Sequence, residues 1–508
     1  MQLAASVAAA SASVVAPASP LLERFSIAPM VGHTHRHTRY FLRLLTRHSW
    51  LYTEMMPASR IVAASGDDDD DPLCHSADEY PLALQLGGRD PRTLAEAAAL
   101  GTARGYSAIN LNCGCPSAAV AGEYQEGAAL MREPAHVAAV CEAMLEATAR
   151  AAAQTGRPPP LVTVKHRLGV VDLDDYDASA DAGEAGRERD LESARRFIAA
   201  VSASGVTRLQ VHARKGLLGA AAPHDADAQM GAELRRSTEA VANRHVPPLR
   251  RDVVHQLAAE FPHLELVANG GVACVAEAAR ELRRGGVHGG VHGAMVGRAA
   301  LNHPCAAVAG ADEAYYSAAD AADAAHASTG AHHRRHHHHP PHSNHHHRHL
   351  HHLLLHHHHL HHPLLHHHHH HHHAAGPPPT RGEVLIERYI DYVRAEEASG
   401  RRGRGGASGR DTDLDVYLRL VAPPFNLFAG EEGAHHFRRR LKALVSSRRK
   451  GHSVRGQACS AAATLSAAAA ELPASSLGKP VTDSVALDAL PVYDFGRRVS
   501  GPLQSHVW

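Results

Sequence analysis

Nowhere in its 508 residues does the chain carry an unbroken apolar run long enough to cross a bilayer, so a membrane span is not expected and the protein should be soluble. Cysteine is sparse: seven residues, an odd number, scattered from Cys74 to Cys459. A small secreted domain stapled by disulfides needs a dense, even set, which points here to a reducing compartment instead. Net charge is also missing, with Lys+Arg 52 against Asp+Glu 52. Bulk attraction to a polyanion is excluded by that balance, and any nucleic-acid surface has to be local. Residues 1–22 contain neither an acid nor an arginine. Abundant Ser and absent acids suit an organelle transit segment, the missing arginines suit a frayed tail, and so the location is expected to be cytoplasmic or organellar.

Histidine is present in excess, but in one place. Of 47 histidines, 27 fall between His332 and His373. The few leucines among them are too sparse to offset the entropy of ordering the segment, which predicts a disordered insertion rather than a metal site of fixed ligand spacing.

From Arg24 to about Gly310, short apolar runs alternate with helix-like stretches. The runs are 25–30 (FSIAPM), 51–55 (LYTEM), 81–86 (PLALQL), 108–112 (AINLN), 161–165 (LVTVK), 208–212 (RLQVH), 264–269 (LELVAN) and 293–297 (GAMVG). Eight strand–helix repeats predict an α/β fold, a (β/α)8 TIM barrel. Each run ends in residues that a buried strand does not need: Pro29 and Met30, Glu54, Gln85, Asn112 with Cys115, Lys165, His212, Asn269 with Gly270 and Gly271, and Gly297 with Arg298. Strand C-termini converge on one mouth in such barrels, so these residues should share one site.

The remainder divides by composition. Residues 1–22 are set apart, 23–310 form the barrel, 311–380 hold the low-complexity insertion, 381–450 form a small helical domain, and 451–508 are an Ala, Ser and Gly-rich tail not expected to fold. Within the barrel, the acidic stretches Asp67 to Asp71 and Asp172 to Asp190 read as solvated loops, and Leu217 to Val246 as a lengthened loop after the sixth strand.

Gly114 and Pro116 impose a tight turn that holds Cys115 at the mouth. Cys113-x-Cys115 also has the form of a metal motif, but no second pair completes four ligands, so no metal is expected. Asn269-Gly-Gly271 and Gly297-Arg298 end the last two strands, where loop amides and a guanidinium suit a phosphate. Lys165 and His212 face the same lumen. A buried Lys calls for an anionic or electron-accepting neighbour, with an ion pair to Glu54 as the plainer explanation.

The ordered set Phe25-Ser-Ile-Ala-Pro-Met30, Leu84-Gln-Leu-Gly-Gly88, Asn110-Leu-Asn-Cys-Gly-Cys-Pro-Ser117, Val162-Thr-Val-Lys165, Val211-His-Ala-Arg-Lys215, Asn269-Gly-Gly271 and Val296-Gly-Arg-Ala-Ala300 resembles the tRNA-dihydrouridine synthases, and most closely their A-type branch, which acts near position 20. That resemblance implies an FMN flavoenzyme using NADPH to reduce a D-loop uridine of tRNA; separately, a monomer is expected. By matching position it implies that Pro29, Met30, Val31, Gln85, Lys165, His212, Asn269, Gly270, Gly271, Gly297 and Arg298 hold FMN. Cys115 would be the proton donor, and Asn112, Arg214 and Lys215 would contact tRNA.

A second basic surface is expected in the helical domain, where the stretch 435–450 contains Arg438, Arg439, Arg440, Lys442, Arg448, Arg449 and Lys450 and no acid. The chain departs from the family pattern at His33 and His35, at His166, in the longer loop 121–127, and at Pro423 and Pro424. Two other readings remain at this level: an FMN barrel reducing a small-molecule alkene or pyrimidine, and a noncatalytic RNA-binding or metal-storing protein.

Overall fold

The computed structural model describes residues 22–64, 71–117, 120–121, 125–219, 247–283, 290–316, 377–399, 413–449 and 460–483. The histidine tract, residues 1–21 and the greater part of the loop after the sixth strand lie outside them.

Eight parallel strands form one sheet: β1 (Phe25–Ile27), β2 (Leu51–Pro57), β3 (Leu82–Gly87), β4 (Ala108–Cys113), β5 (Leu161–Arg167), β6 (Arg208–His212), β7 (Glu265–Asn269) and β8 (Gly293–Val296). Their order is β1-β8-β7-β6-β5-β4-β3-β2, and a parallel bridge from Ser26 to Trp50 joins β1 to β2 and closes the ring. This is the predicted barrel. Side chains alternate across each strand. In β4, Ile109, Leu111 and Cys113 point outward into the core under the helices, while Ala108 belongs to the interior cluster with Trp50, Tyr52, Ala83, Val267 and Met295.

The helical ring includes α1 (Arg36–Arg43), α2 (Pro91–Ala103), α3 (Pro134–Thr155), α4 (Glu184–Ala203), α5 (Arg251–Glu260) and α6 (Val275–Arg283). Local chemistry sets their ends. Asp90 accepts a hydrogen bond from the Thr93 amide at 2.8 Å and Pro91 occupies the first turn, so α2 starts there. Gly101 lets α2 press on the sheet, since a Cβ there would sit 2.7 Å from Leu84 Cδ2 and 2.8 Å from Ile109 Cδ1.

Two expectations are corrected. The stretch Asp172 to Asp190 is not a solvated loop: Val170–Asp172 pairs in parallel with Gly216–Leu218, Ala178–Ala182 is a helical turn, α4 already begins at Glu184, and Asp181 and Asp190 are buried. The long-range ion pairs described below are what make that burial tolerable. Asp71 of the other acidic stretch is also held, 2.5 Å from Arg104; residues 67–70 lie outside the described part.

The second correction concerns the tail. The C-terminal domain contains a π-helical segment (Glu383–Tyr389), α7 (Ile390–Ala398), α8 (Asp413–Val421), a 3-10 turn at Pro423–Asn426, α9 (Ala434–Arg449) and, inside the supposed tail, α10 (Ala461–Ala469). Composition misleads there because alanine is both the best helix former and small enough to pack closely. Ala461, Leu465 and Ala468 are buried, and Tyr417 and Thr464 share a hydrogen bond of 2.8 Å. Buried Arg381 ties both ends of the domain, with Glu431 at 3.0 Å and the Asp483 carbonyl at 2.7 Å.

The domain docks on elements leaving the mouth end of the barrel. Tyr392 stacks on Tyr40 of α1 at 3.8 Å and bonds His37 Nδ1 at 2.7 Å, and Arg36 pairs with Glu396. Asn426 donates to the Leu301 carbonyl, 3.0 Å away, just after β8. The irregular His35 caps α1 through Nδ1, so the departure at His35 is structural at this junction. No helix among the described residues is long and apolar enough to cross a membrane.

Candidate active site

The turn after β4 is built around one amide. Asn112 Oδ1 accepts from the Gly114 and Cys115 amides at 2.9 and 3.1 Å, and Arg167 Nε donates to the Gly114 carbonyl at 2.6 Å. The Ala128 amide closes on the Cys115 carbonyl at 2.9 Å. Gly127, at φ 59°, is required there: a Cβ would stand 2.6 Å from that carbonyl. Cys115 is left half-buried at the mouth, its Sγ 3.4 Å from Ser117 Oγ. Cys113 points the other way into the outer core, where burial pushes its thiol well up. The two cysteines therefore serve no common metal, and no cluster able to hold one occurs among the described residues.

Across the mouth stands a group of bases on adjacent strands. Burial, then the charge of Arg167, lowers Lys165 to about 7, with the nearby Cys115 sulfur opposing the shift. Burial takes Arg167 to about 10, again opposed by Cys115. His212 is held well below its usual range by burial and by Arg167, Lys165, Arg214 and Arg298. Arg214 and Arg298 are lowered too, by burial first. Among the described residues, no carboxylate lies within ion-pair distance of Lys165, Arg167, His212 or Arg214. Glu54, the plainer partner considered for Lys165, instead accepts the Gly32 amide. Burying these bases with no acid beside them is costly, and an anion in the mouth would offset that cost.

The backbone beside it offers a cradle. Gly270 and Gly271 have φ of 117° and 71°, and a Cβ on Gly271 would lie 2.5 Å from Leu249 Cδ2, whereas one on Gly297 would meet nothing within 4 Å. Glycines at a close approach, open space at Gly297 and the adjacent Arg298 suit a phosphate. Asn269 is buried, donating to the Met295 carbonyl at 2.9 Å. Gln85 is buried and donates to Asn110 Oδ1 at 2.7 Å. Pro29 and Met30 are half-buried and Val31 is 52% exposed at the rim.

Barrel topology thus brings the proposed cofactor residues and Cys115 to one end. Two expected tRNA contacts are engaged internally: Asn112 shapes the Cys115 turn, and Lys215 is ion-paired with Asp181 and Asp190. Arg214 donates to the Pro247 carbonyl. Arg167 was missed by the sequence reading, although period-two alternation from Thr163 through Lys165 would have put it in the lumen. A groove of about 720 Å³ lies outside the barrel between α5 and α6, but there Arg251, Arg280 and Arg283 are matched by Asp252, Glu277 and Glu281. Its charges cancel, so it lacks the feature that marks the mouth.

On α9, Phe437, Leu441 and Val445 face inward at helical spacing, which leaves Arg439, Arg440 and Lys442 exposed and Arg438 half-buried. Arg438, Arg439 and Arg440 have no carboxylate partner among the described residues. Arg438 also depresses His303, which follows Arg298 by five positions, after the larger effect of burial, so the basic helix adjoins the mouth end.

Fold and site together define a parallel (β/α)8 barrel with an anion-favouring mouth and a presented thiol. The dihydrouridine synthase family model matches residues 26–371. The chain is 38% identical over 282 residues to the tRNA-dihydrouridine(20/20a) synthase of Escherichia coli O6:H1, covering 55% of this chain and 69% of that one. It is 39% identical over 280 residues to the same-named protein of Synechocystis (55% and 68%), and 41% identical over 282 residues to that of Xanthomonas campestris pv. campestris (55% and 68%). The chain belongs to the dihydrouridine synthase family, and these relatives place it in the A-type branch.

Proposed function

We propose that this protein reduces a uridine in the D loop of tRNA, near position 20, to 5,6-dihydrouridine, with FMN as cofactor and NADPH as the source of electrons. The observation that carries this reading is the Cys115 thiol, presented by a rigid turn at a mouth whose other wall is Lys165, Arg167, His212 and the Gly270–Gly271 and Gly297–Arg298 cradle. FMN, when bound, supplies hydride to C6 of the uracil, the carbon conjugated through C5 to the C4 carbonyl.

The chain's own residues supply the rest. Gly270, Gly271, Gly297 and Arg298 suit the cofactor phosphate, and Lys165 and His212 suit its electron-accepting ring. The enolate left on the base needs a proton at C5, and the Cys115 Sγ–H is the group placed to give it. The resulting thiolate is left beside Lys165 and Arg167. Overall, uridine, NADPH and a proton become dihydrouridine and NADP+. A uracil stacked inside tRNA has to be swung out to reach this mouth, at a cost of a few kcal/mol, and phosphate contacts from Arg438, Arg439 and their neighbours on α9 can offset it.

The test is to incubate purified protein with FMN, NADPH and tRNA and to map dihydrouridine by position. Uridine loss near position 20 is expected; protein that stays colourless in added FMN and leaves tRNA unchanged overturns the reading.

A further inference from the structure

The insertion after β5 buries two carboxylates that the proposed reaction does not use. Asp181 and Asp190 are 2% and 1% exposed. Both meet Lys215: its Nζ contacts Asp181 Oδ1 and lies 3.1 Å from Asp190 Oδ1. Both also meet Arg250, whose guanidinium contacts Asp190 Oδ2 and the Asp181 carbonyl and stands 3.7 Å from Asp181 Oδ2. Tyr176 donates to Asp181 at 3.2 Å. Two acids and two bases make the cluster neutral, which is the condition under which such groups can be buried. Burial pushes the Asp190 carboxyl up, and Lys215 and Arg250 oppose that shift.

Lys215 therefore has little reach. Its side chain is 11% exposed and its ammonium faces two carboxylates, which is a poor arrangement for gripping a phosphate. Its backbone, in contrast, is linked to the reacting thiol. Arg167 Nη1 donates to the Lys215 carbonyl at 3.3 Å while Arg167 Nε holds the Gly114 carbonyl, one residue before Cys115. The strand Gly216–Leu218 follows directly, and Leu218 packs with Ala121, Ala128 and Ala129 beside the same turn. On the far flank, the Arg250 amide bonds the Ala213 carbonyl at 2.8 Å.

We propose that Lys215 is a positioning residue rather than a tRNA contact: Asp181, Asp190 and Arg250 fix Lys215, and Lys215 with Arg167 fixes the Cys115 turn. The proposal rests on Cys115 as the proton donor of the function proposed above. It assigns the insertion a task, which is to hold the wall of the mouth that carries the thiol.

The test uses the full FMN-loaded chain with Lys215→Met, Lys215→Arg and the neutral pair Lys215→Met/Asp190→Asn, the last keeping the buried cluster uncharged overall should the single variant fail to fold. Turnover, KM for tRNA and the salt dependence of tRNA affinity are measured together with the alkylation rate of Cys115 in resting enzyme, followed by mass of its peptide. Lys215→Met and the neutral pair should lower kcat about tenfold to a hundredfold, the scale of a small misplacement, with KM within about twofold of the parent. Cys115 alkylation should change severalfold, and Lys215→Arg should restore both.

A phosphate contact gives the opposite split. KM rises, the salt slope falls by nearly one, Cys115 alkylation is unchanged, and Asp181→Asn tightens tRNA binding by freeing the ammonium. That set of results, or no change in any readout, overturns the proposal. Because alkylation is read without tRNA or turnover, it reports on the linkage even if Cys115→Ala were to leave the reaction intact and overturn the proposed function instead.

Discussion

The barrel lumen has two polar regions, and they are built on opposite principles. Deep inside, Asn110 donates to Thr163 at 2.8 Å and Gln210 at 2.9 Å, Gln210 donates to Glu23 at 2.9 Å, Tyr52 donates to Glu23 at 2.8 Å, and Arg208 stands 3.8 Å from Glu23 and 2.6 Å from Glu265. Each of these side chains has at least one partner of complementary type, so the network holds the strands in register. At the mouth, Lys165, Arg167, His212 and Arg214 are all lowered, by burial first and then by neighbouring cations, and among the described residues no acid pairs with them. The difference teaches that satisfied polarity marks the scaffold and unanswered polarity marks the site.

The comparison predicts separable losses, and the largest should come from the site. Cys115→Ala removes the acid but no contact that folds the barrel. Turnover should fall about 10²- to 10⁴-fold, the usual value of a general acid, with bound flavin and thermal melting unchanged. Retained turnover would break the comparison at its most important point.

The scaffold should fail in the converse manner. Glu23→Ala leaves Tyr52, Gln210 and part of Arg208 without their acceptor, which should cost about 3 kcal/mol of stability in denaturant titration. Flavin affinity of the fraction that remains folded should not change.

Lys165→Met then tests the mouth itself. Losing a charged hydrogen bond of about 1.5–3 kcal/mol should weaken flavin binding roughly tenfold to a hundredfold, measured by fluorescence titration. The pH dependence sharpens this. With its pKa lowered from 10.5 to about 7, Lys165 is neutral above that pH in the unliganded chain, so an anion binding to it must bring a proton. Flavin affinity should therefore fall as pH rises through about 7. Stability of the unliganded chain should move the other way, rising from about pH 7 towards 10.5, because over that window the unfolded chain binds the proton that the native chain has lost. Lys165→Met should abolish both trends.

How much of this was legible beforehand depended on whether the cause was local. Strand alternation, and the polar residues ending each run, are local, and they placed β1 to β8 and the residues at their tips. The Cys115 turn was readable because Gly114 and Pro116 dictate backbone shape by themselves. The Asp181–Asp190–Lys215–Arg250 cluster was not readable: it joins residues up to 69 apart in sequence, and an Asp, Ala and Gly-rich stretch looks solvated until its partners arrive. Helix α10 was lost for a related reason, since Ala and Ser composition alone does not distinguish a solvated tail from a helix packed beneath α8 and α9. Arg167 lay just past the point at which the β5 run had been taken to end.

The smallest effects belong to a third region that shares the mouth's unanswered charge but lies on α9. Arg439 is exposed and Arg438 half-buried, and neither has a carboxylate partner among the described residues. If they neutralise tRNA phosphates, Arg438→Ala and Arg439→Ala should each reduce the slope of log affinity against log salt by about 0.7–0.9, weakening binding by something near 1 kcal/mol at moderate salt. Flavin affinity and single-turnover reduction of saturating tRNA should stay at the parent level, because none of the turn or cradle residues lies on α9. A variant that instead slowed the reaction at saturation would mean that α9 helps to hold the base in the mouth, and the division between grip and chemistry would have to be redrawn where Arg438 approaches His303.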